Sequence, residues 1–212
     1  MYTSMFATAT EQHGWLDLPL ADAQVRYAAS WLDPTEADAL LERLLHEIPW
    51  ERHRLQMFGR EVDSPRLSCW IGDPGTTYTY SRSRFEPQPW TASLSELRER
   101  VQMFCGARFN SVLANLYRDG RDSMGWHSDD EPELGLRPVI ASLSLGAERR
   151  FRLRRKSPRG VRATPLGLPL AHGSLLCMAG ETQRYYQHEV PKTAGLAGAR
   201  INLTFRYIHT PA

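Results

Sequence analysis

The amino-acid sequence predicts a mixed α/β, mainly β domain: a β-sandwich or jelly-roll core with N-terminal helices packed outside it. Three observations predict this. Two stretches before position 106 carry apolar residues at helical spacing. After that position, short runs of β-branched and aromatic residues alternate with glycine, proline and charged turns. No internal repeat, low-complexity tract or long linker divides the 212 residues, so one domain over 1–212 is expected. A chain of this length can close a substantial apolar core. Hydrophobic residues at 42% and charged residues at 24% match that of a globular domain and argue against disorder.

The first helix opens at Asp33-Pro34-Thr35-Glu36, where an N-cap acid precedes a proline at the first helical position and a glutamate placed for a capping box. Leu40, Leu41, Leu44, Leu45 and Ile48 then recur at helical spacing. A second helix is expected from about Ser93 to Cys105, with Leu94, Leu97, Val101 and Phe104 on one face and Gly106 ending it. From Trp50 to Tyr80 the mixture of turn, β-branched and aromatic residues reads as short strands and hairpins. Strand candidates follow near 111–117, 138–145, 150–154, 161–165, 173–178, 184–190 and 200–208. About 1–14 is expected to be a flexible tail and about 107–209 the core.

Composition narrows the function classes. No apolar run reaches membrane-spanning length, and Met1 to Gly14 has neither early positive charge nor a cleavage pattern. The expectation is therefore no membrane partner and a cytoplasmic location. Cys69, Cys105 and Cys177 are odd in number and lack zinc-ligand spacing, which suits buried thiols. The formal charge is only +2, yet Arg149, Arg150, Arg152, Arg154, Arg155, Lys156, Arg159 and Arg162 crowd one stretch. Such a stretch either attracts phosphates or guards a strand edge with arginine.

In the last strand, Arg200, Asn202, Thr204 and Arg206 alternate with Ile201, Leu203, Phe205 and Tyr207. The polar face either meets water or lines a cavity, and in a cavity two arginines demand an anionic guest. Upstream stand Trp126-His127-Ser128-Asp129 and, some sixty positions later, Tyr186-Gln187-His188-Glu189. Period-two geometry puts His127 and Asp129 on one side of an extended segment. With His188 they make a two-histidine, one-carboxylate set that leaves coordination positions open and suits non-haem iron(II). A 2-oxo acid and then dioxygen can take those positions. Arg200 and Arg206 lie about 20 Å apart at the usual strand rise, so their long side chains can hold opposite ends of a small dianion. The remaining histidines, His13, His46, His53, His172 and His209, read as surface or turn residues.

Taken with Pro65-Arg66, Gly72-Asp73, Tyr78-Thr79-Tyr80-Ser81, Phe109-Asn110, Asn115 to Gly120, Ile140-Ala141-Ser142 and Leu170 to Leu176, these segments resemble the AlkB family of Fe(II)/2-oxoglutarate-dependent dioxygenases. The likeness is to its branch that repairs duplex DNA, and the motifs cover most of the chain from about residue 50. It implies a double-stranded β-helix core, a nucleotide-recognition lid over about 50–90, and oxidative demethylation of bases of the 1-methyladenine and 3-methylcytosine type. In that reaction 2-oxoglutarate is decarboxylated to succinate and formaldehyde is released. By position, it implies that His127, Asp129 and His188 bind Fe(II). Asn115, Tyr117, Arg200, Asn202, Thr204 and Arg206 line the 2-oxoglutarate pocket, with Arg200 at the end remote from iron.

The resemblance further implies that Trp70, Tyr78, Ser81, Asp130 and Glu131 stack and read a flipped base. The two aromatic residues equally suit a core. Gln56 to Arg60 looks like a probing hairpin in which Phe58 wedges between bases, with Arg60 and Arg66 steadying the backbone or the orphaned partner base. The competing reading has Met57 and Phe58 anchor that hairpin to the core. The expected partners are nucleic acid, duplex DNA above all, with dioxygen and 2-oxoglutarate, and the protein is expected to be a monomer. The basic stretch then reads as phosphate contact, with affinity falling steeply as salt rises. Trp126 and Arg154-Arg155-Lys156 depart from the family pattern and bear on substrate choice. An RNA or protein demethylase of the same family, or a non-catalytic nucleic-acid-binding module, stays open at this point.

Overall fold

A computed structural model of the chain describes residues 11–12, 14–57, 60–80, 83–158, 163–194 and 197–209, with backbone alone at 11–12, 55–57, 60–61, 78–80 and 83–85. Strands β1 (Glu11–Gln12), β2 (Trp15–Asp17) and β3 (Gln24–Ala28) precede helix α1 (Pro34–Glu47). Then come β4 (Arg54–Met57), β5 (Arg60–Asp63), β6 (Leu67–Gly72), β7 (Tyr78–Tyr80), β8 (Ser83–Phe85) and helix α2 (Ala92–Cys105). The core runs through β9 (Ser111–Tyr117), β10 (Met124–His127), β11 (Ile140–Gly146), β12 (Arg149–Arg155), β13 (Leu166–Leu170) and β14 (Ser174–Ala179). A helical turn α3 (Thr182–Tyr185) leads into β15 (Tyr186–Val190), and β16 (Arg200–Arg206) ends the core.

Both helices begin and end where local chemistry dictates. Asp33 Oδ1 accepts the Glu36 amide at 3.0 Å, and Thr91 Oγ1 accepts that of Leu94 at 3.3 Å. Gly106 closes α2 in the left-handed region at φ 65°. Leu44, Leu94 and Val101 are fully buried, and Glu36 of α1 pairs with Arg100 of α2, tying one helix to the other.

The strands form an eight-stranded antiparallel sheet in the order β1-β2-β3-β14-β11-β16-β9-β6 and a four-stranded one in the order β10-β15-β12-β13. Together they make the jelly roll. Alternation along the large sheet separates two cores. Val112, Ala114, Leu143, Leu175, Leu203 and Phe205 face α1 and α2. Tyr117, Ile140, Leu176 and Met178 share the inner core with Phe151, Leu153, Tyr186 and Val190 of the small sheet. No helix among the described residues is long and apolar enough to cross a membrane.

Four boundaries differ from expectation, each for a local reason. Glu11 and Gln12 pair with Leu16 and Trp15 rather than hanging as a loose tail, because Gly14 stands at φ 81° and buried Trp15 packs on Phe104 at 4.5 Å. The 50–90 stretch is not wholly a lid, since β6 pairs with β9 along six residues and is the edge of the large sheet. Of the strand expected at 161–165, positions 161 and 162 lie outside the described residues and 163–165 are not strand; β13 begins at Leu166, after Pro165, and tolerates Pro169 because it is an edge strand. The first part of 184–190 is helical, since Thr182 Oγ1 donates to the Ala179 carbonyl at 2.5 Å and tightens the turn.

Gly146 ends β11 at φ 87°, and a Cβ there would collide with the Ala199 carbonyl oxygen. Gly146→Ala is expected to cost about 1–3 kcal/mol of stability, from backbone strain before any clash is counted. A denaturant midpoint equal to that of the parent protein would show that the corner relaxes freely.

Candidate metal centre

Antiparallel pairing of β10 with β15 sets His127 directly opposite His188, and the two rings meet edge to face with centroids 4.2 Å apart. The chain leaves the ladder after His127, and Ser128 Oγ donates to the Tyr186 carbonyl at 2.8 Å. Asp129 follows and points inward, 1% exposed. Ligand atoms of His127, Asp129 and His188 all lie within 4.8 Å of one another. So the three side chains meet, with Asp129 just beyond the strand end.

Each group stands in its metal-binding form. The Gly125 carbonyl oxygen, 2.9 Å from His127 Nδ1, can only accept, so Nδ1 carries the proton and Nε2 keeps its lone pair. Burial pushes His127 below the ordinary histidine value. Burial, with His127 alongside, pulls His188 down to about 3, so its imidazole is neutral. Burial by itself would raise the Asp129 carboxyl, but the Arg206 guanidinium beside it outweighs that and holds the group ionised. Arg206 Nη2 donates to Asp129 Oδ1 at 2.5 Å, while Oδ2, 3.7 Å from His188 Nε2, has no hydrogen-bond partner. A buried carboxylate oxygen without a donor is a costly arrangement that a cation relieves.

The polar face of β16 forms the adjoining wall. Cross-strand register places Arg200 opposite Tyr117, Asn202 opposite Asn115, and Thr204 opposite Leu113. Asn115, Tyr117, Asn202, Thr204 and Arg206 border the same cavity as the three metal-binding side chains, along with Ser142. Within it the residues differ in freedom. Asn202 Nδ2 donates to Ser142 Oγ at 2.7 Å and its oxygen accepts from Thr204 at 3.0 Å, so both serve the wall itself. Asn115 Oδ1 accepts from Arg66 Nε at 2.6 Å, leaving its amide nitrogen as donor. Arg200, 1% exposed, spends Nη2 on Ser144 Oγ at 2.9 Å, while Nε and Nη1 have no partner. No carboxylate pairs with it among the described residues, and burial lowers its guanidinium below the usual arginine value.

Comparison with known proteins adds the decisive observation: residues 24–206 match the pattern of the 2OG-Fe(II) oxygenase superfamily. The chain belongs to that superfamily. It is 43% identical over 197 residues to alpha-ketoglutarate-dependent dioxygenase alkB homolog 3 of Rattus norvegicus, covering 90% of this chain and 66% of that protein. It is 41% identical over 180 residues to DNA oxidative demethylase ALKBH2 of Homo sapiens, covering 82% and 69%. A solved structure described as "The structure of OsALKBH1" superposes with a TM-score of 0.60 at 16% identity, covering 86% of this chain and 96% of that one, a likeness of fold.

The superfamily's metal and cosubstrate are Fe(II) and 2-oxoglutarate, and the residues present suit both. Two neutral imidazoles and a carboxylate that open on one cavity are the donor set non-haem iron(II) takes. The unpaired, buried Arg200 guanidinium is the complement of a carboxylate. In this oxygenase Arg206 stands at the metal end of the wall, through Asp129, and Arg200 six residues away along β16.

The residues expected to read a base are more scattered. Phe58 and Ser81 lie outside the described residues, and of Tyr78 only the backbone, paired with Phe85, is described. Trp70 is buried in the inner core and gives its indole N–H to the Thr76 carbonyl at 2.7 Å, so it is a wall rather than an open stacking platform. Arg66 is buried beside Asn115 and does not reach outward to a nucleic-acid backbone, because its partner lies inside the sheet. Asp130 is exposed and meets Lys156 Nζ at 3.0 Å; Glu131 is half-buried.

The basic stretch is corrected likewise. Arg149 is 2% exposed and donates to the carbonyls of Asp119, Asp122 and Pro191. Arg152 pairs with Glu189 and Arg155 with Asp22. Arg152 and Arg154 lie over the Trp126 ring, 5.3 and 4.1 Å from its centroid. Much of this charge is therefore structural. Arg159 and Arg162 lie outside the described residues.

Proposed function

We propose that this oxygenase removes N-linked methyl groups oxidatively from nucleobases, with 1-methyladenine and 3-methylcytosine in DNA, above all duplex DNA, as its substrate type. The observation that carries the reading is the His127, Asp129 and His188 set opening on a cavity, with a buried arginine that has no carboxylate partner among the described residues farther along β16. A relative at 41% identity bears the name DNA oxidative demethylase, which supports the substrate class.

Bound iron(II) would supply the oxidation of the methyl carbon, with dioxygen and 2-oxoglutarate consumed and carbon dioxide, succinate and formaldehyde released. The chain's own residues do the rest. Arg200 would grip the remote carboxylate of the cosubstrate, and Asn115 and Tyr117 offer an amide and a phenol along the way. Arg206 fixes one oxygen of Asp129, and the other, without a hydrogen-bond donor, would be free to hold the metal. Asp130, next in sequence to the metal carboxylate, would exchange Lys156 for a base's exocyclic amine. The Trp126 face with Arg154, beside His127, offers a stacked cation and ring to an approaching strand. β4 and β5 pair as far as Met57 opposite Arg60, which supports the probing-hairpin reading.

Protein prepared anaerobically with Fe(II) and 2-oxoglutarate, then exposed to air, should convert 1-methyladenine and 3-methylcytosine in oligonucleotides. One succinate and one formaldehyde should appear for each repaired base. Phe58→Ala should lower turnover on duplexes and spare single strands. Succinate formation without base repair would point to another substrate, and equal turnover throughout would remove the wedge while leaving the oxygenase.

A further inference from the structure

We infer that Gln183 is a positioning residue for the metal centre, holding the main chain at Asp129 in a fixed relation to His188. The inference rests on the metal-site reading above but not on any choice of substrate.

The need for such a residue follows from the backbone. β10 ends at His127, so the Asp129 amide has left the ladder, and it is buried where no water can serve it. A buried N–H without a partner costs about as much as a lost hydrogen bond. Gln183 Oε1 accepts this N–H at 2.9 Å, and the Gln183 side chain is 2% exposed. Its amide nitrogen faces Met178 Sδ at 3.6 Å on the cavity wall, which leaves the oxygen directed at Asp129.

What makes the contact more than a filled hydrogen bond is where Gln183 sits. It lies on α3, the turn that runs directly into β15, and His188 follows five residues later. Ser128 is fastened to the same segment through the Tyr186 carbonyl. The Ser128–Asp129 stretch is thus referenced at two points to the piece of chain that carries the second histidine. The Gln183 carbonyl also accepts from Lys156 Nζ at 2.9 Å, and that ammonium holds Asp130. One residue therefore frames Asp129 through its side chain and Asp130 through its backbone. Groups that orient metal ligands in this way are commonly worth about 10–100-fold in metal affinity.

The test is Co(II) binding to the metal-free protein, read by calorimetry and by the visible absorption of the bound ion. Gln183→Met keeps nearly the same volume and removes the acceptor; Gln183→Leu removes it with a different shape. Both are expected to weaken Co(II) binding at least about tenfold and to change its absorption bands. Thr182→Val loosens the same turn by losing the bonds to Ala179 and Gln24, yet leaves the Asp129 contact in place. Its Co(II) affinity is expected to stay within about threefold of the parent. Parent-like affinity and spectrum in either Gln183 variant would overturn the inference, as would a Thr182→Val loss equal to theirs, which would reduce Gln183 to general support of the turn. Failure of the parent protein itself to bind Co(II) would instead overturn the metal-site reading and this inference with it.

Discussion

His188→Ala and Asp129→Ala are each expected to reduce 2-oxoglutarate-dependent turnover to background, while their effects on folding diverge. Either change leaves two donors where three are needed to hold the ion and orient what binds beside it. His188 is neutral in the metal-free protein, so its loss removes packing against His127 and Phe151 and leaves no charge stranded. Asp129 is different. Its Oδ1 holds the Arg206 guanidinium, and both side chains are almost wholly buried. Removing the carboxylate breaks this buried ion pair, a change that typically costs about 3–5 kcal/mol. Urea titration of the metal-free variants should therefore place Asp129→Ala well below His188→Ala. Equal midpoints would mean that Arg206 finds another carboxylate without cost, and residual succinate formation in either variant would mean that the triad is not the iron site.

How far the sequence alone reaches can be judged residue by residue. Strand 111–117, the Asp33 cap and the Gly106 stop stand where periodicity and capping chemistry put them, because those signals are local. The alternation along β16 likewise told that Asn202, Thr204 and Arg206 face the cavity, though Arg200, on the same polar face, does not border it. The meeting of His127 with His188 was legible only as a set of donor types in order, since the cross-strand register that pairs them is fixed by packing between distant segments. Arg149 was misread as part of a phosphate-binding stretch. Its parity with Phe151 and Leu153 already placed it on the inward face of β12, but an arginine suggests a surface, and the three carbonyls that satisfy it come from loops far away in sequence. Gln183 escaped for the same reason: one amide in a short turn carries no periodic signal.

Arg200→Met should weaken 2-oxoglutarate binding by about 3 kcal/mol, on the order of a hundredfold in KM. Iron affinity should change little, because Arg200 lies at the far end of β16 from Arg206 and Asp129. The size of the effect comes from burial. In the protein without cosubstrate, the guanidinium has two donors unmet and no carboxylate partner among the described residues, and removal from water pulls its pKa down. A dianion would supply both the charge and the acceptors, so binding recovers a desolvation cost that folding has already incurred. The same argument makes the fold respond in the opposite direction. Methionine has similar reach and no charge, so the variant without ligand should be as stable as the parent or more stable, even with the Ser144 bond lost. Saturating 2-oxoglutarate should raise the melting temperature of the parent and hardly move that of the variant. A KM within a few-fold of the parent, or a marked loss of stability in the ligand-free variant, would show that Arg200 is a structural cation and that the cosubstrate is held elsewhere.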